Sequence, residues 1–132
     1  MSQPLLVPVA AGELFDKIAI LQIKAGRIAE AAKLAHVRRE LALLQACAEP
    51  VRADCTGPAA LDALLDELRQ ANEALWELEN TVRACDRAGD FGPRFVEAAR
   101  AVHRQNDRRA AAKLRINTLL GSAIVEAKEY RL

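Results

Sequence analysis

Leu61, Leu64, Leu68, Ala71, Leu75, Leu78, Val82 and Cys85 follow one another at alternating spacings of three and four residues, so a single apolar seam runs along one helix face. No Gly or Pro interrupts the stretch. The pattern predicts one long helix and a second helix packed against it at about 20° to its axis. Upstream, Gly12 opens another helix, with Glu13 and Asp16 in the first turn, where carboxylates meet the positive end of the helix dipole. Leu14, Ile18, Leu21, Ala25 and Ile28 keep one stripe on it. The next apolar set, Leu34, Val37, Leu41 and Leu44, lies about two residues out of register with that stripe. The change falls near Ala29–Lys33. Either a continuous helix changes partner there or the chain turns, and no residue from Glu30 to Lys33 breaks a helix.

Prolines and glycines set the remaining boundaries. Residues 1–11 hold Pro4 and Pro8 around Leu5, Leu6, Val7 and Val9, which predicts an extended segment with its apolar side chains lying on the bundle. Pro50 and the run Cys55-Thr56-Gly57-Pro58 predict a loop over 49–58, and Gly89 with Gly92 predicts a turn before the last long helix. Pro93 suits the first turn of that helix, which runs to about Leu120 and stops at Gly121. Residues 121–132 then form a short helix or tail, with Ser122 as its cap, Lys128 in its last turn and Tyr130 near its end.

Apolar residues make up 52% of the 132 residues but aromatics only 4%, and Ala and Leu dominate, which favours close-packed helices over a sheet. The expected fold is one all-α domain spanning 1–132, an antiparallel bundle of four or five helices with a long central helix hairpin. Trp76 lies just off the seam between Arg69 and Arg83, so it covers another element or stays exposed. Seam and indole together offer more apolar surface than one short chain covers, and a homo-oligomer is expected.

The formal charge of +1 gives no overall pull on nucleic acid or anionic lipid. It is unevenly spread. Leu61–Cys85 carries six acids and two arginines, whereas Arg87–Arg115 carries eight bases and three acids. Two helices packed with matched charge account for this better than nucleic-acid binding, and the row Arg100, Arg104, Arg108, Arg115 lacks the interleaved aromatics of a single-strand binder. Cys47, Cys55 and Cys85 form no CxxC pair, so no metal is expected, and the thiols are expected to be free in a cytoplasmic protein. No apolar run approaches the roughly 20 residues of a membrane span. His36 and His103 have no partner spacing for a triad, and no glycine-rich phosphate loop or other cofactor motif is present.

The last helix breaks the pattern of a bundle. Phe95, Ala99, Val102, Asn106, Arg109, Lys113, Ile116, Asn117 and Leu120 share one face, and four of these nine are polar or charged. Buried without partners they would cost several kcal/mol, so they require carboxylates, water or a ligand. Partners are available on the first helix, where Glu13, Asp16, Lys17, Ile20, Lys24 and Arg27 lie beside the apolar stripe. The candidate ligand-binding set is Glu13, Asp16, Lys17, Lys24, Asn106, Arg109, Lys113 and Asn117, suited to a small anion. A purely structural polar network is the competing reading.

The stretches GELFDKIAILQIKAGRI (Gly12–Ile28), KLAHVRREL (Lys33–Leu41), NDRRAAAKLRIN (Asn106–Asn117) and GSAIVEAKEY (Gly121–Tyr130) resemble a family of short bacterial proteins classed as a domain of unknown function. In that family a turn-forming segment precedes the second stretch, which implies a turn near Ala29–Ala32. Ala11, Ala19, Gln22 and His36 stand where the family usually has Ser, Thr, Glu and Asn. The resemblance implies a helical fold and carries no activity.

The resulting expectation is a non-enzymatic binding or assembly module with a polar, anion-binding pocket between the first and last long helices. The alternative is a small helical enzyme acting on an anionic metabolite by electrostatic positioning. Asp16, Arg27 and Lys33 have a rhythm similar to the first helix of chorismate mutases, but the second half of that motif is missing. Asp62, Asp66 and Glu67, like Glu73, Glu77 and Glu79, lack the paired spacing by which helical nucleotide pyrophosphatases hold Mg²⁺.

Overall fold

The computed structural model describes residues 3–122 and Ala127. Of the short C-terminal helix expected from Ser122 to Lys128, all but Ser122 and Ala127 lies outside the described residues. Four helices are present among them: α1 (Ala11–Arg27), α2 (Ala31–Ala53), α3 (Pro58–Ala88) and α4 (Pro93–Leu119), with no strand. None is long and apolar enough to cross a membrane.

The change of stripe after Ile28 is a turn. Ile28 and Glu30 are extended, and α2 begins at Ala31, so the helix breaks where its apolar face would have rotated away from the core. Pro50, by contrast, does not end α2. The helix runs three residues further, to Ala53, because Ala48 is buried and Val51 packs on the core, and burial of this turn outweighs the one amide donor that proline lacks. The loop expected over 49–58 therefore shrinks to residues 54–57. At the far end of α3, Gly89 takes a left-handed conformation (φ 67°) and its N–H reaches back to the Asp86 carbonyl, which closes the helix.

α3 packs most extensively on α4 and also on α1. α1, the shortest of the four, is the one that packs against each of the other three. Its buried residues Gly12, Phe15, Asp16, Ile18, Ala19, Leu21 and Ile23 spread over roughly 220° of its circumference, far wider than the stripe of a surface helix. The core gathers at one end of the bundle. Phe15, Ile18 and Ala19 of α1 meet Ala48 of α2, Leu61 and Leu68 of α3, and Ala112 and Ile116 of α4.

Away from that end the packing thins. At 1.5 Å per residue α3 is about 46 Å long and α1 about 26 Å. Arg27, the last residue of α1, pairs with Glu77, so the final eleven residues of α3 extend beyond α1 and keep company with α4. The seam records this difference. Leu61, Leu68, Ala71 and Cys85 are buried, whereas Leu75, Leu78 and Val82 are half-buried. The N-terminal segment is extended, but its apolar side chains do not lie on the bundle: Leu5 and Leu6 are more than nine-tenths exposed. The two prolines hold the chain straight, away from the helices.

Burial along the seam sets the cost of truncating it. Leu68→Ala is expected to lose about 3 to 5 kcal/mol in urea unfolding, and Leu75→Ala about 1 to 2 kcal/mol, because Leu75 already faces a cleft. Equal losses at the two positions would show that the seam is buried uniformly.

Candidate functional site

The polar face of α4 meets α1 at a buried carboxylate. Asp16 is fully buried and accepts three side-chain donors from two helices. Arg109 Nε donates to Asp16 Oδ1 at 2.9 Å and to Oδ2 at 3.0 Å, Arg109 Nη2 donates to Oδ2 as well, and Asn72 Nδ2 of α3 donates to Oδ1 at 2.9 Å. Lys113 Nζ donates to Glu13 Oε2 at 2.7 Å and stands 3.6 Å from Asp16 Oδ2. Two carboxylates and two cations thus balance one another where α1, α3 and α4 converge. Burial raises the Asp16 pKa, but the hydrogen bonds from Arg109 and Asn72 and the nearby Arg109 and Lys113 charges outweigh it, so the group is held below its ordinary value of 3.8.

One turn further along α4, Asn117 does different work. α1 starts at Ala11 with Ala10 as its N-cap, a residue with no side chain to satisfy the first amides. α4 and the residues just after it supply the acceptors instead. Gly12 N–H donates to Asn117 Oδ1 at 2.7 Å and Ala11 N–H to Ser122 Oγ at 3.3 Å. This cap requires close approach of the two backbones. A Cβ on Gly12 would stand 2.5 Å from the Lys113 carbonyl oxygen and 2.9 Å from Asn117 Oδ1. Glycine is required here by proximity to α4, a role its sequence position at the start of a helix does not reveal.

Beside the Asp16 cluster, α1, α3 and α4 bound a cleft of about 510 Å³, within the range typical of small-molecule sites. Ile20, Ile23 and Lys24 line it from α1, and Asn106 and Arg109 from α4. α3 contributes Asn72, Leu75, Trp76, Glu79, Asn80 and Arg83, in which each residue has another three or four positions away, so that they form one face. Trp76 is held from the α1 side by Arg27, whose guanidinium lies 6.0 Å from the ring centroid and pairs with Glu77.

The eight candidate residues therefore divide. Glu13, Asp16, Arg109 and Lys113 form the buried cluster, and Asn117 caps α1. Lys24 and Asn106 line the cleft, which Arg109 joins to the cluster. Lys17 stays apart, exposed on α1 and making no hydrogen bond or ion pair among the described residues. The sequence reading missed Asn72 and Trp76. Asn72 follows Leu68 by four and precedes Leu75 by three, so a polar residue inside the seam's own spacing was the available signal. Of the chorismate-mutase-like trio, Asp16 is enclosed in the cluster, Arg27 pairs with Glu77, and Lys33 is exposed beside Glu30 on α2. The basic row on α4 is not uniformly solvated either: Arg108 pairs with Glu67 and donates to Gln70 Oε1 at 2.8 Å, both on α3. Cys47 is exposed, Cys55 half-buried and Cys85 buried, all as free thiols, and no group of three metal-ligating side chains occurs among the described residues. No protein-family model, curated protein or solved structure matches this chain.

Two stability measurements check this geometry. Gly12→Ala is expected to cost about 1 to 3 kcal/mol, since the new methyl meets a backbone carbonyl that cannot swing aside; an unchanged unfolding midpoint would refute the close approach. The Asp16 cluster gives an acid limb. A carboxyl held below its unfolded pKa stabilises the fold fully above that unfolded value, near 3.8, and the contribution is lost as pH falls through the depressed folded value. Wild-type protein should therefore lose stability below about pH 4 more steeply than Asp16→Asn, which carries no titrating group there. Parallel acid limbs in urea unfolding would assign the pH dependence elsewhere.

Proposed function

We propose that this chain is a non-enzymatic binding module that takes a small anion in the cleft between α1, α3 and α4. The observation that carries the reading is the charge of the cleft wall, where Arg109 is balanced by Asp16 and Arg83 lies near Glu79 but Lys24 has no carboxylate partner among the described residues, with the amides of Asn72, Asn80 and Asn106 alongside. The pocket first expected around Arg109 and Lys113 moves sideways under this reading. Asp16 and Glu13 already balance those two cations, so the anion belongs in the cleft that Arg109 borders.

Binding is favoured over catalysis because the cluster's buried carboxylate is fully engaged. Asp16 accepts from Arg109 and Asn72 on both oxygens and has a lowered pKa, which makes it a poor proton acceptor near neutral pH. The assembly half of the proposal rests on α3 and α4, which we read as an antiparallel hairpin; the four-residue connection from Gly89 to Gly92 and the pairing of Arg108 with Glu67 and Gln70 support this. Half-buried Leu78 and Val82, with exposed Phe91 and Val96, then offer a second copy an apolar surface near its tip. The resemblance to short bacterial helical proteins and a cytoplasmic setting belong to the same proposal.

A thermal-shift screen of anionic metabolites, with and without Mg²⁺, tests the reading. At least one anion should raise the midpoint in wild-type protein and fail to do so in Lys24→Met. Conversion of the bound anion, followed by NMR, would turn the reading into the enzyme alternative, and a flat screen would refute both. Light scattering at high concentration that returns the mass of one chain would remove the assembly half alone.

A further inference from the structure

The cleft is two-faced, and this narrows what it can hold. Ile20 and the edge of buried Ile23 of α1 and Leu75 and Trp76 of α3 supply an apolar wall, and in a water-filled anion site half-buried Ile20, Leu75 and Trp76 would remain wet at a cost of about 25 cal/mol per Å². Leu75 belongs to the seam, so in a tightly packed bundle it would be buried against a helix; here it is half-buried and turned to the cleft. The Arg27 guanidinium lies over the indole of Trp76, 6.0 Å from the ring centroid, and pairs with Glu77, so a cation covers part of the aromatic wall.

The charges on the wall are mostly spoken for. Arg109 is engaged by buried Asp16, and Arg83 Nε lies 3.5 Å from Glu79 Oε2. Lys24, half-buried on α1, has no carboxylate partner among the described residues. The uncompensated charge of the cleft is therefore a single positive one. A dianion such as a phosphate monoester would bring more charge than the wall can neutralise, and a neutral molecule would leave Lys24 desolvated without a counter-charge.

We propose that the ligand is a small monocarboxylate with a branched aliphatic or aromatic body, its carboxylate on Lys24 beside the amides of Asn80 and Asn106, and its body against Ile20, Ile23, Leu75 and Trp76. This rests on the reading of the cleft as an anion site and specifies its chemistry. Lysine provides a point charge where the asparagine amides provide directional donors, which suits a carboxylate held by one ion pair and neutral hydrogen bonds.

Trp76 is the only tryptophan of the chain, so its emission reports directly on this cleft. The probes are 4-methylpentanoate and 3-phenylpropanoate, compared with 4-methylpentanamide, acetate and inorganic phosphate. Both apolar carboxylates should change Trp76 emission saturably, with the amide and acetate at least about tenfold weaker, as expected for loss of a charge-assisted contact or of the apolar body. Lys24→Met should weaken the two carboxylates about tenfold or more while the unliganded melting temperature stays within a degree or so, since an exchange of side chains of similar length on a cleft wall leaves the core intact. Phosphate or acetate binding in a Lys24-dependent manner as tightly as the apolar carboxylates would overturn the monocarboxylate assignment and leave the anion site standing. The amide binding as well as the acid would overturn it too. No response to any of the anions, by emission and by thermal shift, would overturn the anion site itself.

Discussion

A carboxylate with no solvent exposure constrains this bundle more than any apolar contact. An unpaired ionised group at that depth costs several kcal/mol, and Asp16 avoids the cost only when Asn72 of α3 and Arg109 of α4 both reach it. Leucine seams tolerate slippage by one heptad or rotation by one position, but this junction does not. A shift of α3 or α4 by a single residue relative to α1 would carry its donor away. The interaction therefore selects one arrangement of three helices, and its net worth lies in that selection more than in added stability. Lys113 and Glu13 extend it towards the α1 N-terminus, where Gly12 and Asn117 fix how closely the two backbones approach.

Together these contacts separate structure from binding surface along the same two helices. At the core end α1 and α4 are in contact and charge-balanced. Beyond Arg109 they part, and the cleft opens between them with α3 as its floor. One arginine belongs to both regions: its guanidinium closes the Asp16 junction and also lines the cleft. A ligand in the cleft would thus sit beside an arginine that the fold already holds in place, which lowers the entropy lost on binding.

The fold was legible where periodicity carried it. The seam located α3 to within a few residues, the shifted stripe after Ile28 located a break, and the polar interruption on α4 brought Arg109, Lys113 and Asn117 to the face that meets α1. What escaped was set by tertiary context. Pro50 reads as a stop because local rules see its missing donor and not the burial of Ala48 and Val51 around it. Gly12 reads as a helix opener because the sequence does not reveal a carbonyl 2.5 Å from an absent Cβ. Lys17 was grouped with Lys24 by helical angle, yet only Lys24 reaches the cleft, since the neighbours on α3 and α4 end the similarity. Leu5 and Leu6 read as packed residues because apolar side chains usually find cover, and here the extended segment carries them out into solvent.

The mismatch in helix length has a kinetic side. Backbone amides in the stretch around the Asp16 junction and the core are expected to exchange with solvent most slowly, since both must come apart to expose them. From Leu78 through the Gly89 turn to about Val102, two helices pack chiefly on each other, with Leu78 and Val82 half-buried and Cys85 buried between them. Stretches with fewer buried contacts open first, so that segment is expected to exchange sooner than the core end, and the molecule has an interior graded in protection from one end to the other.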